Sequence, residues 1–539
     1  MTSLLARLQT AALVLALGLC GSATLARPAP ELVLQLATGD NDARIAALGT
    51  LAASADPDAL PLLEALRDDA LKSRGGNQAV IYDGETARDA ITGKPLVPVP
   101  DDLEDVMTNN RVTVALDAAF AAFDLAAPER ATRLAAVRTL QESGDPALLP
   151  LLDKALATEK DPQVIDLLRV AQAGARLHHP DRATRLAAIE TLGGSGAPGA
   201  RAQLGSLLEK NGASFVEADA AVREAARKAI SHIDTWLEIG EIAGGLFTGV
   251  SLASILLLAA LGLAITYGLM GVINMAHGEL IMIGAYATFL VQNLLRTHAP
   301  GLFEFYPLFA IPVAFLVSAL VGATMERLVI RHLYGRPLET LLATWGISLV
   351  LIQGVRSLFG AQNVMVENPA WLSGGVQVMS NLILPWNRLA IIAFAILVVM
   401  GMSLILTRTR LGLFVRAVTQ NRQMAGCVGV ATPRVDTLAF ALGSGVAGLA
   451  GCALAQVGNV GPDLGQSYII DSFMVVVLGG VGQLAGTVYA ALGLGVFNKL
   501  LEGVAGAVLA KITVLVLIIV FIQKRPQGLF AVKGRFADN

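Results

Sequence analysis

Apolar residues dominate the chain from residue 246 onward, and one group of polar residues interrupts them early. The first run reads LFTGVSLASILLLAALGLAITYGLMG from Leu246, and after VINMAHGEL a second run reads IMIGAYATFLVQNLLR to Arg296. Because a helix rises about 1.5 Å per residue, about 20 apolar residues cross a bilayer core. The first run therefore predicts a membrane span. The polar residues between the runs predict either a tight turn or a break within the membrane.

Later apolar runs continue this pattern to the end of the chain. They predict five more spans, over Phe305–Ile330, Leu338–Phe359, Leu389–Leu406, Val435–Val457 and Val508–Gln523. The segment Ile469–Leu501 is also apolar, but glycines in its middle predict a broken pair of short helices or a re-entrant hairpin. We therefore expect an all-α fold here, a polytopic membrane domain over 236–539 with about eight to nine membrane segments.

Basic residues cluster in three connections of this domain, and they predict its orientation. The clusters are Arg327, Arg331 and Arg336; Arg408, Arg410, Arg416 and Arg422; and Lys524, Arg525, Lys533 and Arg535. Loops rich in lysine and arginine stay in the cytoplasm. All three clusters fall inside if residue 245 lies outside and Ile469–Leu501 crosses twice or not at all. The part before residue 245 is then outside, and the C-terminus is cytoplasmic.

Residues 27–235 have a different pattern, an internal repeat of helical type. Arg44-Ile-Ala-Ala-Leu-Gly-Thr-Leu51 recurs at 133–140 and at 185–192, and Asp-Pro follows the first two copies at the same offset. A helix, a proline turn and a second helix predict a HEAT-like α-helical repeat domain, which serves either as a protein-binding surface or as a spacer. A β-prone stretch near 78–100, with Asp83-Gly84 at its turn, predicts an inserted hairpin.

The start of the chain and its composition indicate where the protein is located. Residues 1–26 combine Arg7, a short apolar run and small residues around Ala23–Ala26, which predicts a signal peptide. With 54% hydrophobic and 15% charged residues, the whole chain is too apolar for an ordinary soluble protein. His178 and His179 lie at a repeat boundary without a set of acidic or cysteine ligands, so we interpret them as turn residues and not as metal ligands. Catalytic motifs such as HExxH, GxSxG and a phosphate-binding loop do not occur in the sequence.

The polar residues Asn274, His277 and Glu279 are the first candidates for chemistry. Charged groups within a bilayer are costly, so they lie at an interface, pair with each other or face a polar cavity. Glu279 in the first turn of the second helix and Asn274 at the break suit a capping role. The same residues also suit a substrate pathway, since transporters use broken helices to bind solutes.

The second candidate is the polar connection Arg408 to Arg434. Phe414, Val418, Met424 and Val428 recur at helical intervals within it, which predicts an amphipathic cytoplasmic helix with these four on one side. Such a helix lies on the membrane surface or docks into a groove of a cytoplasmic partner.

Four stretches of the chain resemble the signature stretches of the branched-chain amino-acid ABC transporter permease family, in the same order. They are YGLMGVINMAHGELIMIGAY, LGLFVRAVTQNRQMAGCVGV, VVVLGGVGQLAGTVYAALG and the closing KRPQGLF. Ordinary members lack the long N-terminal repeat domain, and its presence makes the chain similar to the urea-transporting branch, specifically to its first membrane subunit.

The resemblance implies a heteromeric importer of the bacterial inner membrane. Its partners are a second permease subunit, two cytoplasmic ABC ATPase subunits, a periplasmic urea-binding protein and membrane lipid, with no nucleic acid. ATP hydrolysis belongs to the partners, so this chain is not an enzyme and needs no cofactor or metal. The resemblance also implies an ATPase-coupling segment over 411–430, with its coupling residues at Leu411, Gly412, Phe414, Arg416, Asn421 and Gly429.

Residue chemistry alone does not select urea. A small neutral solute needs a polar lining without a fixed counter-charge, and a zwitterion delivered by a binding protein is equally compatible with the spans. The alternatives are therefore a branched-chain amino-acid or short-amide permease and, from another class, an autonomous urea channel that needs no ATP. A receptor anchored by its spans is disfavoured, because one anchor would suffice.

Overall fold

The computed structural model describes residues 29–54, 56–212, 214–271, 274–525 and 528–530, and it is mostly helical. The chain forms two compact units, Met1–Leu237 and Glu238–Asn539. The signal peptide predicted over 1–26 lies outside the described residues and stays a prediction.

The helices follow the two sequence patterns. Those that begin before residue 220 are α1 (Pro30–Thr38), α2 (Asn41–Ser54), α3 (Leu60–Arg67), α4 (Asn110–Asp124), α5 (Arg130–Ser143), α6 (Leu149–Thr158), α7 (Pro162–Ala175), α8 (Arg182–Ser195) and α9 (Pro198–Ser206). Those that follow are α10 (Ala220–Met270), α11 (His277–His298), α12 (Tyr306–Leu328), α13 (Pro337–Phe359), α14 (Trp386–Arg408), α15 (Arg410–Gln420), α16 (Arg422–Cys427), α17 (Thr432–Ala455), α18 (Leu464–Gly479), α19 (Leu484–Ala505) and α20 (Ala507–Lys524).

The three sequence repeats fall on α2, α5 and α8, at the same place in each helix. Equivalent positions of the three copies are buried, namely Ala47, Leu48 and Leu51, then Ala136, Val137 and Leu140, then Ala188, Ile189 and Leu192. In the first two copies the Asp of Asp-Pro caps a short 3-10 helix by accepting a backbone N–H bond. The third copy has Ala197 there, and α9 starts without a side-chain cap.

A repeated ion-pair arrangement accompanies the second and third copies. The pairs are Arg130–Asp161 (2.7 Å) and Arg133–Glu159 (2.8 Å), then Arg182–Asp219 (3.0 Å) and Arg185–Glu217 (3.1 Å). In each copy the first pair is partly exposed and the second is largely buried. In the first copy the arginine, Arg44, donates instead to the backbone carbonyl oxygens of Leu36 and Met107.

The first unit also contains a five-stranded antiparallel sheet, whereas the sequence predicted only a hairpin near 78–100 inserted into an all-α fold. Its strand order is β4-β3-β2-β1-β5, with β1 at Leu71–Arg74, β2 at Gln78–Tyr82, β3 at Ala87–Asp89, β4 at Pro95–Leu96 and β5 at Leu103–Asp105. The predicted hairpin is β2–β3. The strands β1 and β5 are short and polar, and ion pairs such as Lys72–Asp105 join them (2.6 Å), so their sequences lack an apolar strand signal. A short β6–β7 hairpin follows at Lys210–Asn211 and Ser214–Phe215.

Asp83 forms the turn of the predicted hairpin. Its carboxylate accepts backbone N–H bonds from Thr86 (2.7 Å) and Glu85 (3.1 Å). These bonds favour the charged carboxylate and lower the pKa of Asp83 to about 2. The turn is therefore set by side-chain chemistry that the sequence already showed.

The second unit contains the predicted spans. Eight of the described helices are long and apolar enough to cross a membrane, and α18 is a shorter apolar helix. The predicted pair within Ile469–Leu501 is α18 and α19, broken at 480–483, but α19 has 22 residues and is not short. A small hairpin, β8 (Gly375–Met379) with β9 (Leu382–Pro385), precedes α14.

Glycines let the central helices of this unit approach closely. A Cβ atom on Gly451 of α17 would collide with the backbone oxygen of Ile281 on α11, and Gly284 of α11 lies directly against Gly448 of α17. Most of α17 is buried, whereas α12, α13, α14 and α20 carry many exposed large apolar residues. A buried centre with an exposed apolar periphery is the pattern expected of helices that face lipid.

Candidate functional site

The site is built on the interruption between α10 and α11. Gly271 follows the last residue of α10 with a φ of +64°, a backbone conformation that glycine adopts without a steric penalty. Asn274 is buried, and its Oδ1 accepts the backbone N–H of Ala276 (3.1 Å) just before α11 begins. The predicted break is therefore present, and Asn274 satisfies part of its backbone.

His277 is fully buried at the first position of α11. Its Nε2 lies 2.9 Å from the carbonyl oxygen of Ala259 in α10. Because a carbonyl oxygen only accepts hydrogen bonds, Nε2 carries the proton and donates it. The bond holds the start of α11 against the C-terminal part of α10 and leaves Nδ1, which has no partner in the described structure, as an acceptor.

Glu279 lies two residues further, still in the first turn of α11, where the helix dipole stabilises a negative charge. It is 2% exposed, and its Oε1 accepts a hydrogen bond from the hydroxyl of Ser348 on α13 (2.8 Å). Its Oε2 has no hydrogen-bond partner among the described residues.

Ser348 belongs to a polar stripe on α13 that the sequence interpretation missed. Only Thr340, Thr344, Ser348 and Ile352 of this helix are buried, at intervals of four residues. The hydroxyl of Thr344 accepts the backbone N–H of Met275 from the interruption (3.2 Å). Three hydroxyl residues at this spacing in an otherwise apolar span were the available signal.

We call Asn274, His277, Glu279, Thr344 and Ser348 the inner polar cluster. Its hydrogen bonds join α11 and the interruption to α13 on one side and to α10 on the other. Three of its buried atoms have no partner in the described structure: Asn274 Nδ2, which is a donor, His277 Nδ1 and Glu279 Oε2. A buried polar atom without a partner costs about 1–3 kcal/mol, so these atoms favour a polar ligand that supplies the missing bonds.

The connection 408–434 forms two helices, α15 and α16, so the expected single helix is wrong. Asn421 separates them with an extended φ of −154°, and its side chain caps α16 by accepting the N–H of Met424 (2.9 Å). Gly412 is buried against the backbone of Leu406, where a Cβ would collide.

The break also changes which residues share a face. Val418 and Ala425 are buried in the core of the unit, whereas Phe414, Met424 and Val428 are exposed. The expectation that Val418 lies on one side with the other three is therefore wrong: Val418 packs inward from α15, and Asn421 resets the helical phase for Met424 and Val428, which follow it. We call the exposed set Leu413, Phe414, Met424 and Val428 the outer apolar face. Leu411 is half-buried, and the exposed Arg416 donates to Gly412 of its own helix (3.3 Å).

Gly429 ends α16 in a left-handed conformation with a φ of +90°. Its N–H donates to Gly426 (3.1 Å), and the N–H of Val430 donates to Ala425 (3.0 Å). This pair of bonds is the Schellman motif, which favours glycine at this position. The described structure thus accounts for Gly429 through backbone geometry.

His178 and His179 are exposed at the end of α7, and His179 Nδ1 accepts the backbone N–H of Asp181 (3.1 Å). Within the described residues no three His, Cys, Asp or Glu side chains gather as metal ligands.

A polytopic helical unit whose helices break at a buried polar cluster has the architecture of a solute permease. The family model described as the permease component of the branched-chain amino acid transport system matches residues 245–523. The match covers more than half of the chain, and the chain belongs to this family. It is a transporter subunit and not itself an enzyme.

Relatives of known name support the family. The high-affinity branched-chain amino acid transport system permease protein BraD of Pseudomonas aeruginosa is 29% identical over 290 residues, 53% of this chain and 94% of BraD. The permease protein LivH of Salmonella typhimurium is 29% identical over 53% of this chain and 94% of its own length. The probable branched-chain amino acid transport permease protein LivH of Methanocaldococcus jannaschii is 26% identical over 52% of this chain and 90% of its own length. No solved structure matches the chain.

Proposed function

We propose that the chain is a permease subunit of an ATP-driven importer for urea in the bacterial inner membrane. It works with a second permease subunit, two cytoplasmic ATPase subunits and a periplasmic urea-binding protein. The first unit lies in the periplasm, and the C-terminus lies in the cytoplasm, in keeping with the basic clusters of the connections.

The inner polar cluster is the observation that supports urea as the solute. Its unpartnered atoms combine an amide donor with two acceptors, and urea offers the complementary set of one carbonyl oxygen and four N–H groups. None of the hydrogen bonds that build the cluster comes from lysine or arginine. An amino-acid carboxylate needs a charged or strongly polarised donor set, whereas a small neutral amide does not.

The part of the chain outside the family match supports a branch distinct from the named relatives. BraD aligns over 94% of its own length but only 53% of this chain, so about half of this chain has no counterpart in BraD. We interpret the first unit as a HEAT-like repeat domain that receives the binding protein. A spacer role is the alternative for that unit.

Coupling to the ATPases is assigned to the connection 411–430. The outer apolar face is exposed on short helices whose opposite side packs into the core of the unit. An exposed apolar face of this kind fits a groove on a partner protein. Leu411, Gly412, Phe414, Arg416, Asn421 and Gly429 form or shape this connection.

A branched-chain amino-acid permease is the second candidate, because the named relatives are described as permeases of branched-chain amino acid transport. A short-amide permease would use the same polar cluster as urea. An autonomous channel would need neither the outer apolar face nor ATP.

The test is uptake of radiolabelled urea into proteoliposomes that contain this chain with its partner permease and ATPases. We expect uptake only with internal ATP and the external binding protein, and no competition by excess leucine. ATP-driven uptake of leucine instead of urea would replace urea with the second candidate. Urea flux without ATP would mean a channel and would remove the coupling assignment.

A further inference from the structure

A second group of buried polar residues lies in the membrane unit, where α12 ends and α17 begins. It contains Glu326, Arg331, Arg422, Asp436 and Thr437, which we call the ionic cluster. Glu326 and Asp436 are both fully buried, and Arg331 and Arg422 are partly exposed. Nothing in the proposed solute pathway uses these residues.

The first half of the ionic cluster joins α16 to α17. Both terminal nitrogens of Arg422, the first residue of α16, donate to the carboxylate of Asp436 in α17. The guanidinium also lies over the ring of Tyr334, 4.3 Å from its centroid. The guanidinium of Arg422 thus forms a bidentate interaction with a carboxylate and a cation–π contact with an aromatic ring, a combination that lysine does not reproduce.

The second half joins α17 to α12. The hydroxyl of Thr437 donates to Glu326 Oε2 (2.6 Å) and accepts from Arg331 Nη2 (3.1 Å). Arg331 Nη2 also lies 3.3 Å from Glu326 Oε2. Neighbouring residues of one helix, Asp436 and Thr437, therefore connect α16 on one side and α12 on the other.

Buried ion pairs resist separation, because pulling one partner away leaves an uncompensated charge in a medium of low dielectric. The short helix α16 and the start of α17 must therefore move together. From there α17 packs through Gly448 and Gly451 against α11, the helix that carries His277 and Glu279. These contacts form one continuous physical connection between the outer apolar face and the inner polar cluster.

We propose that the ionic cluster is the transmission element of this subunit, and that Arg422, Asp436, Glu326 and Thr437 are positioning residues that pass movement of α15–α16 to α17 and α12. The proposal rests on the proposed function, because it needs ATPases that act on the outer apolar face. Arg422 thereby acquires a role beyond the basic cluster that orients the chain.

The test measures urea uptake and ATP hydrolysis together in the reconstituted complex. Asp436→Asn should keep ATP hydrolysis but lower the urea transported per ATP at least ~5-fold, a typical size for lost coupling between sites. Asp436→Glu should restore part of that ratio. The control is Glu339→Gln, an exposed carboxylate paired on the surface with Arg336, which should leave the ratio unchanged.

Thr437→Val provides a second, milder variant if Asp436→Asn prevents assembly. It keeps the side-chain shape, removes the bond to Glu326, and should lower the urea transported per ATP ~3-fold. Its control is Thr324→Val on α12, whose exposed hydroxyl bonds only to Leu320 of its own helix (2.8 Å). An assembled Thr437→Val complex with the wild-type ratio would overturn the proposal. Urea uptake by the wild-type complex that does not require ATP would instead overturn the proposed function.

Discussion

The two units of this protein differ in where they place charged residues and glycines. In the first unit the arginine–carboxylate pairs recur in the second and third copies near helix ends, while leucine, alanine and valine fill the core. In the second unit Glu326 and Asp436 are fully buried, while glycine lines the central contacts and large apolar residues are exposed.

The difference follows from the surroundings. In water, burial of apolar surface drives helix packing, so large side chains belong inside and ion pairs add little. In lipid, apolar surface gains little from burial, so close backbone packing and polar contacts hold the helices together. A substitution should therefore have opposite consequences in the two units, and the following predictions test this, from the largest expected effect to the smallest.

The largest effect is expected at the glycine contact of the second unit. Gly451→Leu places a side chain against the backbone of Ile281, which cannot give way, so the cost should exceed the ~3 kcal/mol of ordinary overpacking. We expect almost no folded protein after detergent extraction, as measured by size-exclusion chromatography. Gly346→Leu on α13, where a Cβ meets no atom within 4 Å, should yield wild-type amounts. Equal yields from the two variants would contradict glycine packing.

The corresponding change in the first unit removes volume. Leu140→Ala empties a side chain that is 1% exposed in α5, which should cost about 2–5 kcal/mol. Hydrogen exchange of the α5 backbone in the full chain should accelerate accordingly. Val114→Ala, which truncates a side chain that is 50% exposed, is the control and should change exchange little. If both variants exchange alike, the repeat helices do not share a conventional apolar core.

Next comes the inner polar cluster. Glu279→Leu removes the bond to Ser348 and the unpartnered Oε2, and we expect urea uptake to fall about tenfold, or ~1.4 kcal/mol. Glu502→Leu, which removes a surface pair with Lys499 on α19, is the control. Undiminished uptake by an assembled Glu279→Leu complex would assign Glu279 a capping role alone.

The smallest effect concerns the ion pair between Arg133 and Glu159. The backbone N–H of Asp161 and the Arg133 guanidinium hold the pKa of Glu159 below its usual value of 4.5. A carboxyl whose pKa is lowered by folding stabilises the fold above its unfolded pKa, and this contribution disappears as the pH falls through the folded pKa.

Glu159→Gln should therefore destabilise the first unit by no more than ~1 kcal/mol at neutral pH and should not differ from wild type in acid. Hydrogen exchange at neutral pH and below pH 4.5 would measure the stability difference under the two conditions, with the exposed Glu190→Gln as control. A difference in stability between Glu159→Gln and the wild type that grows as the pH falls would contradict the stabilising role of this ion pair.

The predictable parts of the fold were those with a local cause. The spans follow from runs of apolar residues, the interruption from Asn274, His277 and Glu279, and the hairpin turn from Asp83-Gly84, since each signal lies within a few neighbouring residues. The five-stranded sheet was missed because β1 and β5 gain their stability from partners far along the chain, as in the Lys72–Asp105 pair.

Sequence alone established the two-part organisation, the membrane spans and the residues around which a solute site is expected. Hydropathy and periodicity suffice for this, because the bilayer demands long apolar helices regardless of their neighbours. The three-dimensional arrangement was needed to bring Ser348 to Glu279, to turn Val418 inward while Met424 faces outward, and to join Arg422 to Asp436. Each of these depends on the rotation of one helix against another, which packing sets and no single segment encodes.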